Sequence, residues 1–113
     1  MSECIFCKIA NKDIPAEIVY EDKDILAFND IHPQAPIHIL IIPKKHIPDM
    51  TKITDEDKDL IGRLHLAAVE IARSKGVDQK GFRLVNNCKE DGGQVVFHLH
   101  YHLLAGTKLP ICT

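Results

Sequence analysis

Residues 95–104 read Val95-Val96-Phe97-His98-Leu99-His100-Tyr101-His102-Leu103-Leu104, three histidines at alternate positions in an otherwise apolar run. Side chains along a strand alternate between faces, so Val96, His98, His100, His102 and Leu104 share one face while Val95, Phe97, Leu99, Tyr101 and Leu103 share the other. The pattern predicts one long strand over residues 95–104, ended by Gly106 and Pro110. At a rise of about 3.3 Å per residue, neighbouring histidines stand about 6.7 Å apart and the outer two about 13 Å apart. A zinc–nitrogen bond is about 2.0 Å, so one ion can take an adjacent pair but not the whole row. Imidazoles are costly to bury without partners, and three of them together predict a polar pocket cut into the sheet face.

Working outward, residues 82–88 read as a strand joined to the histidine run through the turn Lys89-Glu90-Asp91-Gly92-Gly93. The clearest helix covers residues 55–74: Thr54 and Asp57 form a capping box, Leu60, Ile61, Leu64, Ala68, Ile71 and Ala72 form an apolar stripe, and Gly76 suits the left-handed position beyond its end. Residues 37–42 are almost wholly β-branched or leucine, as in a strand buried on both faces and stopped by Pro43. Residues 17–20 and 25–29 flank a polar turn and read as a hairpin, and the two prolines in residues 31–36 mark a loop. Near the start, Ser2 is the expected N-cap of a short helix with Ile5, Phe6 and Ile9 on one side, which Pro15 must stop. This order predicts a single α+β domain over residues 1–113: a five-stranded antiparallel sheet with one short N-terminal helix and one long helix packed on one side.

Composition narrows the function. The 113 residues are 45% apolar and 27% charged with a formal net charge of −2, and Lys44-Lys45 is too short a basic run to grip a nucleic-acid backbone. Charges at Glu3, Lys8, Lys12, Asp13 and Glu17 break any signal or membrane segment, so the expectation is a cytoplasmic protein without a membrane or nucleic-acid partner. In that compartment the four cysteines, Cys4, Cys7, Cys88 and Cys112, are not expected to form a disulfide framework. Cys4-Ile5-Phe6-Cys7 has the spacing of a structural zinc half-site, and the competing reading is two thiols on a helix without metal. His65, on the long helix, reads as an ordinary structural histidine.

A neutral imidazole is a usable nucleophile towards phosphorus when an acceptor holds its other ring nitrogen and so fixes the tautomer. A central histidine with one on either side suits that work, because the flanking rings can donate to phosphate oxygens as charge spreads over them.

The run from His98 to Leu104 resembles the signature of the histidine-triad family. Ile5-Phe6 with Lys8-Ile9, Phe28-Asn29-Asp30-Ile31, Pro33-Gln34-Ala35-Pro36 with His38, Ile42-Pro43-Lys44-Lys45-His46, and Asp91-Gly92-Gly93-Gln94 are similar to the branch that hydrolyses nucleoside phosphoramidates. The likeness spans about residues 4 to 106. It implies a HIT-like two-fold dimer in which His100 attacks the α-phosphorus of a purine nucleotide substrate and forms a nucleotidyl-histidine that water then opens. It also implies that His102 binds a phosphate oxygen, His38 helps orient the nucleophilic ring, and Asn87 and Gln94 contact the phosphate and leaving group. Asp30 would take both ribose hydroxyls, while Ile5, Phe6, Ile9, Phe28, Asn29, Ile31 and Leu40 would enclose the base. No catalytic cofactor is implied, but a structural zinc is, held by Cys4, Cys7, His46 and His98. Val95 stands where the branch usually has Ser, next to the phosphate, Asn29 stands where His is common, and the tail lacks the Trp-Pro-Pro ending of animal members. Gln94 lies four residues before His98, a spacing closer to phosphoramidate hydrolases than to dinucleoside polyphosphate hydrolases. The rival readings are that second hydrolase class, a non-catalytic zinc-binding module, and a nucleotide sensor.

Overall fold

Residues Ile37–Pro43 are buried from His38 onward, and in the computed structural model, which describes residues 4–111, they form the central strand of the sheet. In chain order the elements are α1 (Ile5–Ala10), β1 (Ile18–Glu21), β2 (Ile25–Asn29), β3 (Ile37–Pro43), α2 (Lys58–Ser74), β4 (Arg83–Val85) and β5 (Tyr101–Ala105). The five strands lie in the order β1-β2-β3-β5-β4, and every neighbouring pair is antiparallel. Asp22 builds the β1–β2 turn, its Oδ1 accepting from the N–H groups of Asp24 (2.9 Å) and Ile25 (2.8 Å).

Continuous apolar runs in β2 and β3 leave no polar face, so the sheet needs cover on both sides. One face, carrying Ile25, Ala27, Ile39, Ile41, Leu99, Tyr101, Leu103 and Ala105, packs on Leu64, Ala67, Ala68 and Ile71 of α2. The other, carrying Leu26, Phe28, Leu40 and Ile42, packs on Phe6 and Ile9 of α1. The two helices therefore lie on opposite faces and not on one side, because strands apolar on both faces must be covered twice.

Helix α1 is capped by Cys4, whose Sγ accepts the N–H of Cys7 at 3.3 Å. Ser2, the cap expected from sequence, lies outside the described residues, as does Cys112. Asp57 accepts the N–H of Thr54 at 3.0 Å, completing the predicted capping box, although the first turn, Asp55–Asp57, is a 3₁₀ turn. Gly76 takes φ +73° just past α2, the left-handed stop that its sequence position predicts. No helix among the described residues is long and apolar enough to cross a membrane.

Two strands are shorter than the pattern predicts. The strand expected over residues 82–88 is confined to Arg83–Val85, and the one over residues 95–104 to Tyr101–Ala105. Pairing of β5 with β3 ends at Ile41↔Tyr101, and Pro43 beyond it has no N–H to offer a ladder. On the other side pairing ends at Val85↔His102, after which the Asn86 side chain, not the backbone, reaches β5: Nδ2 donates to His100 O at 2.9 Å. His98 and His100 thus sit ahead of the strand, where residues 96–98 form a bend, and the segment is pinned where Leu99 N–H donates to Ile47 O at 2.6 Å. The alternation survives without the ladder, since Leu99 joins Tyr101 and Leu103 in the α2 core while His98 and His100 meet Phe6 on the α1 face.

Leu103 is fully buried, so Leu103→Ala is expected to lower the free energy of unfolding by about 2–5 kcal/mol in chemical denaturation, whereas Val95→Ser, at a residue 85% exposed, should stay within about 0.5 kcal/mol. A fully stable Leu103→Ala protein would contradict this account of the core.

Candidate active site

The triad rings lie on the α1 side of the sheet, where Phe6 meets His98 and His100. His100 and His102 have ring centroids 5.1 Å apart, and the Phe6 ring stands edge-on to both His100 (5.0 Å) and His98 (6.0 Å). Each ring has one nitrogen whose partner decides where the proton sits. A carbonyl oxygen only accepts, so the 2.7 Å contact from His100 Nδ1 to His98 O places the proton on Nδ1 and leaves the Nε2 lone pair unprotonated. By the same reasoning His98 Nε2 donates to Pro43 O at 2.8 Å, and the lone pair of His98 lies on Nδ1.

His38 continues the chain from β3. Its Nδ1 accepts the backbone N–H of Gln34 at 3.0 Å, so its proton is on Nε2 and faces His102 Nδ1 at 2.9 Å, with Asp30 Oδ2 alongside at 3.4 Å. His102 must then carry its own proton on Nε2. A ring nitrogen with an open lone pair therefore neighbours one with a hydrogen to donate. The sequence reading gave His38 the task of orienting the nucleophilic ring. In the structure the His100 ring is held by the His98 carbonyl, and His38 meets His102. Asp30, His38 and His102 also bring three potential metal donors together. Metal binding through His38 Nε2 would, however, demand a proton on Nδ1, where the Gln34 N–H already points.

Burial keeps the rings neutral. His102 is pushed down to about 4, first by desolvation and then by the neighbouring His100 and His38. Desolvation also lowers His100, opposed by its bond to the His98 carbonyl and by the Asp30 charge. His98 is pushed down to about 4 by the same desolvation, against the pull of the Pro43 carbonyl.

Cys4, Cys7, His46 and His98 converge, all four donor atoms lying within 4.8 Å of one another. Cys4 Sγ is 3.3 Å and Cys7 Sγ 3.4 Å from His98 Nδ1, and His46 Nδ1 is 3.2 Å from both Cys7 Sγ and His98 Nδ1. Zinc–nitrogen and zinc–sulfur bonds of about 2.0 and 2.3 Å give tetrahedral edges of about 3.3–3.8 Å, close to this spacing. The His98 tautomer presents its lone pair to the cluster, and its other nitrogen is held by a carbonyl, as the second shell of a metal-bound histidine requires. The donor set fits the ion.

The remaining expected residues divide. Phe6, Ile9, Phe28 and Leu40 pack together, with Phe6 and Phe28 edge-to-face at 5.6 Å, whereas Ile5 and Ile31 are exposed at the rim, Ile31 by 85%. Asp30 Oδ1 accepts the His32 N–H at 2.8 Å, and Asn29 Nδ2 donates to Glu17 at 3.1 Å. Asn87 Nδ2 donates to Gly92 O at 2.8 Å, which shapes the glycine loop. Gln94 does not reach towards the histidines: it is buried, its Nε2 donates to Pro48 O (2.8 Å) and Val96 O (3.0 Å), and its Oε1 accepts the Lys89 N–H (2.7 Å). With both amide hydrogens committed to carbonyls it has no donor left for phosphate, and it serves as a clasp on the loop. Sequence reasoning did not find the carbonyls of Pro43, Ile47 and His98, the Gln34 N–H, or Asn86. Backbone groups carry no residue signature, and Asn86 belongs to no spacing pattern.

The HIT domain profile matches residues 11–109. The chain is 46% identical over 107 residues to the purine nucleoside phosphoramidase of Escherichia coli K12, covering 95% of this chain and 90% of that protein. Among solved structures, a histidine triad protein from Clostridium difficile superimposes with a TM-score of 0.96 at 54% identity, covering 100% of this chain and 98% of the other. A HIT family hydrolase from Legionella pneumophila superimposes with a TM-score of 0.94 at 49% identity, covering 96% of each.

Proposed function

The chain belongs to the HIT domain family, and on that premise we propose that it hydrolyses purine nucleoside phosphoramidates at the α-phosphate through a nucleotidyl-histidine on His100. The observation that carries the proposal is the tautomer of His100, whose Nδ1–H is tied to a carbonyl while Nε2 offers its lone pair. In the first step Nε2 bonds to the α-phosphorus and the bond to the amine breaks, the amine leaving with a proton taken from water because Val95 has no hydroxyl to give. The ring then carries positive charge, which the His98 carbonyl at 2.7 Å stabilises. His102 Nε2–H donates to a phosphate oxygen as negative charge gathers there, its ring held by His38. Water then attacks phosphorus, giving its proton to the hydroxide left by the first step, the bond from phosphorus to Nε2 breaks, the nucleoside monophosphate leaves, and Nε2 regains its lone pair. Asp30, at the end of β2, is a carboxylate suited to both ribose hydroxyls, and the Phe6–Phe28 pair supplies an apolar wall for the base. Support for purine and amine chemistry comes from the Escherichia coli relative.

Zinc is proposed as a structural ion held by Cys4, Cys7, His46 and His98, tying α1 to the segment after β3. The ion would cross-link elements distant in sequence, and the proposed setting is the cytoplasm. A homodimer is proposed because α2 leaves Leu66 68% exposed and β4 is an edge strand, both suited to a two-fold contact.

His100→Ala should keep its melting temperature and its metal content while losing turnover of adenosine phosphoramidate by at least about a thousandfold, with the mass-spectrometric nucleotidyl adduct of the parent protein also gone. Undiminished turnover would remove the nucleophile assignment, and a parent protein that binds nucleotide without turnover would leave the sensor reading. Elemental analysis should find one zinc per chain, lost in Cys7→Ser together with a fall in melting temperature; a metal-free parent protein purified without chelator would dismiss the ion. Light scattering should give twice the chain mass, reduced to the monomer by Leu66→Glu, and a monomeric parent would end the dimer proposal.

A further inference from the structure

One buried side-chain polar atom among the described residues has no hydrogen-bond partner, Oδ1 of Asn86. The other end of the same amide is engaged, since Nδ2 donates to His100 O at 2.9 Å. The amide cannot be turned over to help Oδ1, because that would set two oxygens against each other. An acceptor stripped of water and left alone lowers stability, so an unpartnered one calls for a compensating reason.

That reason lies where the sheet ends. Pairing with β3 stops at Tyr101 and pairing with β4 stops at His102, so the ladders run out one and two residues short of His100. The ring of His100 is locked to His98 O, which fixes the ring relative to its own chain but not the chain relative to the sheet. Leu99 N–H on Ile47 O holds one side of that chain, and the Asn86 amide, reaching from the end of β4, holds the carbonyl of His100 on the other. We infer that Asn86 is a positioning residue for the nucleophile, its side-chain amide replacing the missing ladder bond at His100 and leaving Oδ1 unpartnered as the consequence. This rests on the reading of His100 as the attacking group.

Asn86→Leu is similar in size, removes the donor, and removes the lone acceptor as well. The expected result is a melting temperature equal to or above that of the parent, kcat on adenosine phosphoramidate lower by about ten- to a hundredfold, and KM within about twofold. The ¹⁵N spectrum of the His100 imidazole should move from one Nδ1–H tautomer towards a mixture. Asn86→Ala serves as a second variant should leucine fail to fold. Unchanged kcat with an unchanged imidazole spectrum overturns the inference, as does a parallel fall in stability and kcat with the spectrum intact, which marks a merely structural role. If the parent protein turns over no nucleotide, the proposed function fails and the spectrum alone decides for or against Asn86.

Discussion

One hydrogen bond, His100 Nδ1–H to the carbonyl of His98 2.7 Å away, sets the proton position on the central ring and leaves Nε2 its lone pair, the condition on which the proposed attack on phosphorus depends. The carbonyl is in place only because His98 is itself tethered, with Nε2 on Pro43 O and Nδ1 among Cys4, Cys7 and His46. A line of contacts therefore runs from the N-cap of α1, across the end of β3, to the His100 ring. The proton positions follow from these carbonyl contacts, and burial lowers all three triad rings, at His100 and His102 against the pull of the nearby Asp30 charge.

Hydrophobic burial supplies the platform. Because β2 and β3 are apolar on both faces, the sheet is a layer between two helices, and the face that meets the smaller one has room left for polar rings beyond it. The larger helix closes the opposite face over Leu99, Tyr101 and Leu103. Alternation then separates the two duties along one segment: residues at one parity anchor the core, and the histidines at the other parity face the site. The segment keeps this division even where its ladder lapses, since the bond from Leu99 N–H to the Ile47 carbonyl holds Leu99 in the α2 core.

The legible parts of the molecule were those written in side-chain pattern. The bounds of β2, the capping box at Thr54 and Asp57, the stop at Gly76 and the shared face of the three histidines all follow from local rules and are seen in the structure. Strand lengths were less legible, because a strand ends where its neighbours cease to pair, and neither Pro43 nor Asn86 lies near the triad in sequence. Gln94 shows another limit: its position beside the glycine loop suggests a ligand contact, yet the carbonyls of Pro48 and Val96 claim its amide.

Sequence by itself determined the family resemblance, with the Cys4, Cys7, His46 and His98 donor set it implies, the antiparallel α+β sheet, and the alternation of the three histidines, since these depend on motif, periodicity and spacing. Only the tertiary structure decided that the helices cover opposite faces, that His38 meets His102, and which nitrogen of His100 carries its lone pair. Those outcomes depend on backbone carbonyls and amides brought together from distant positions, and every residue presents the same carbonyl until folding chooses its partner.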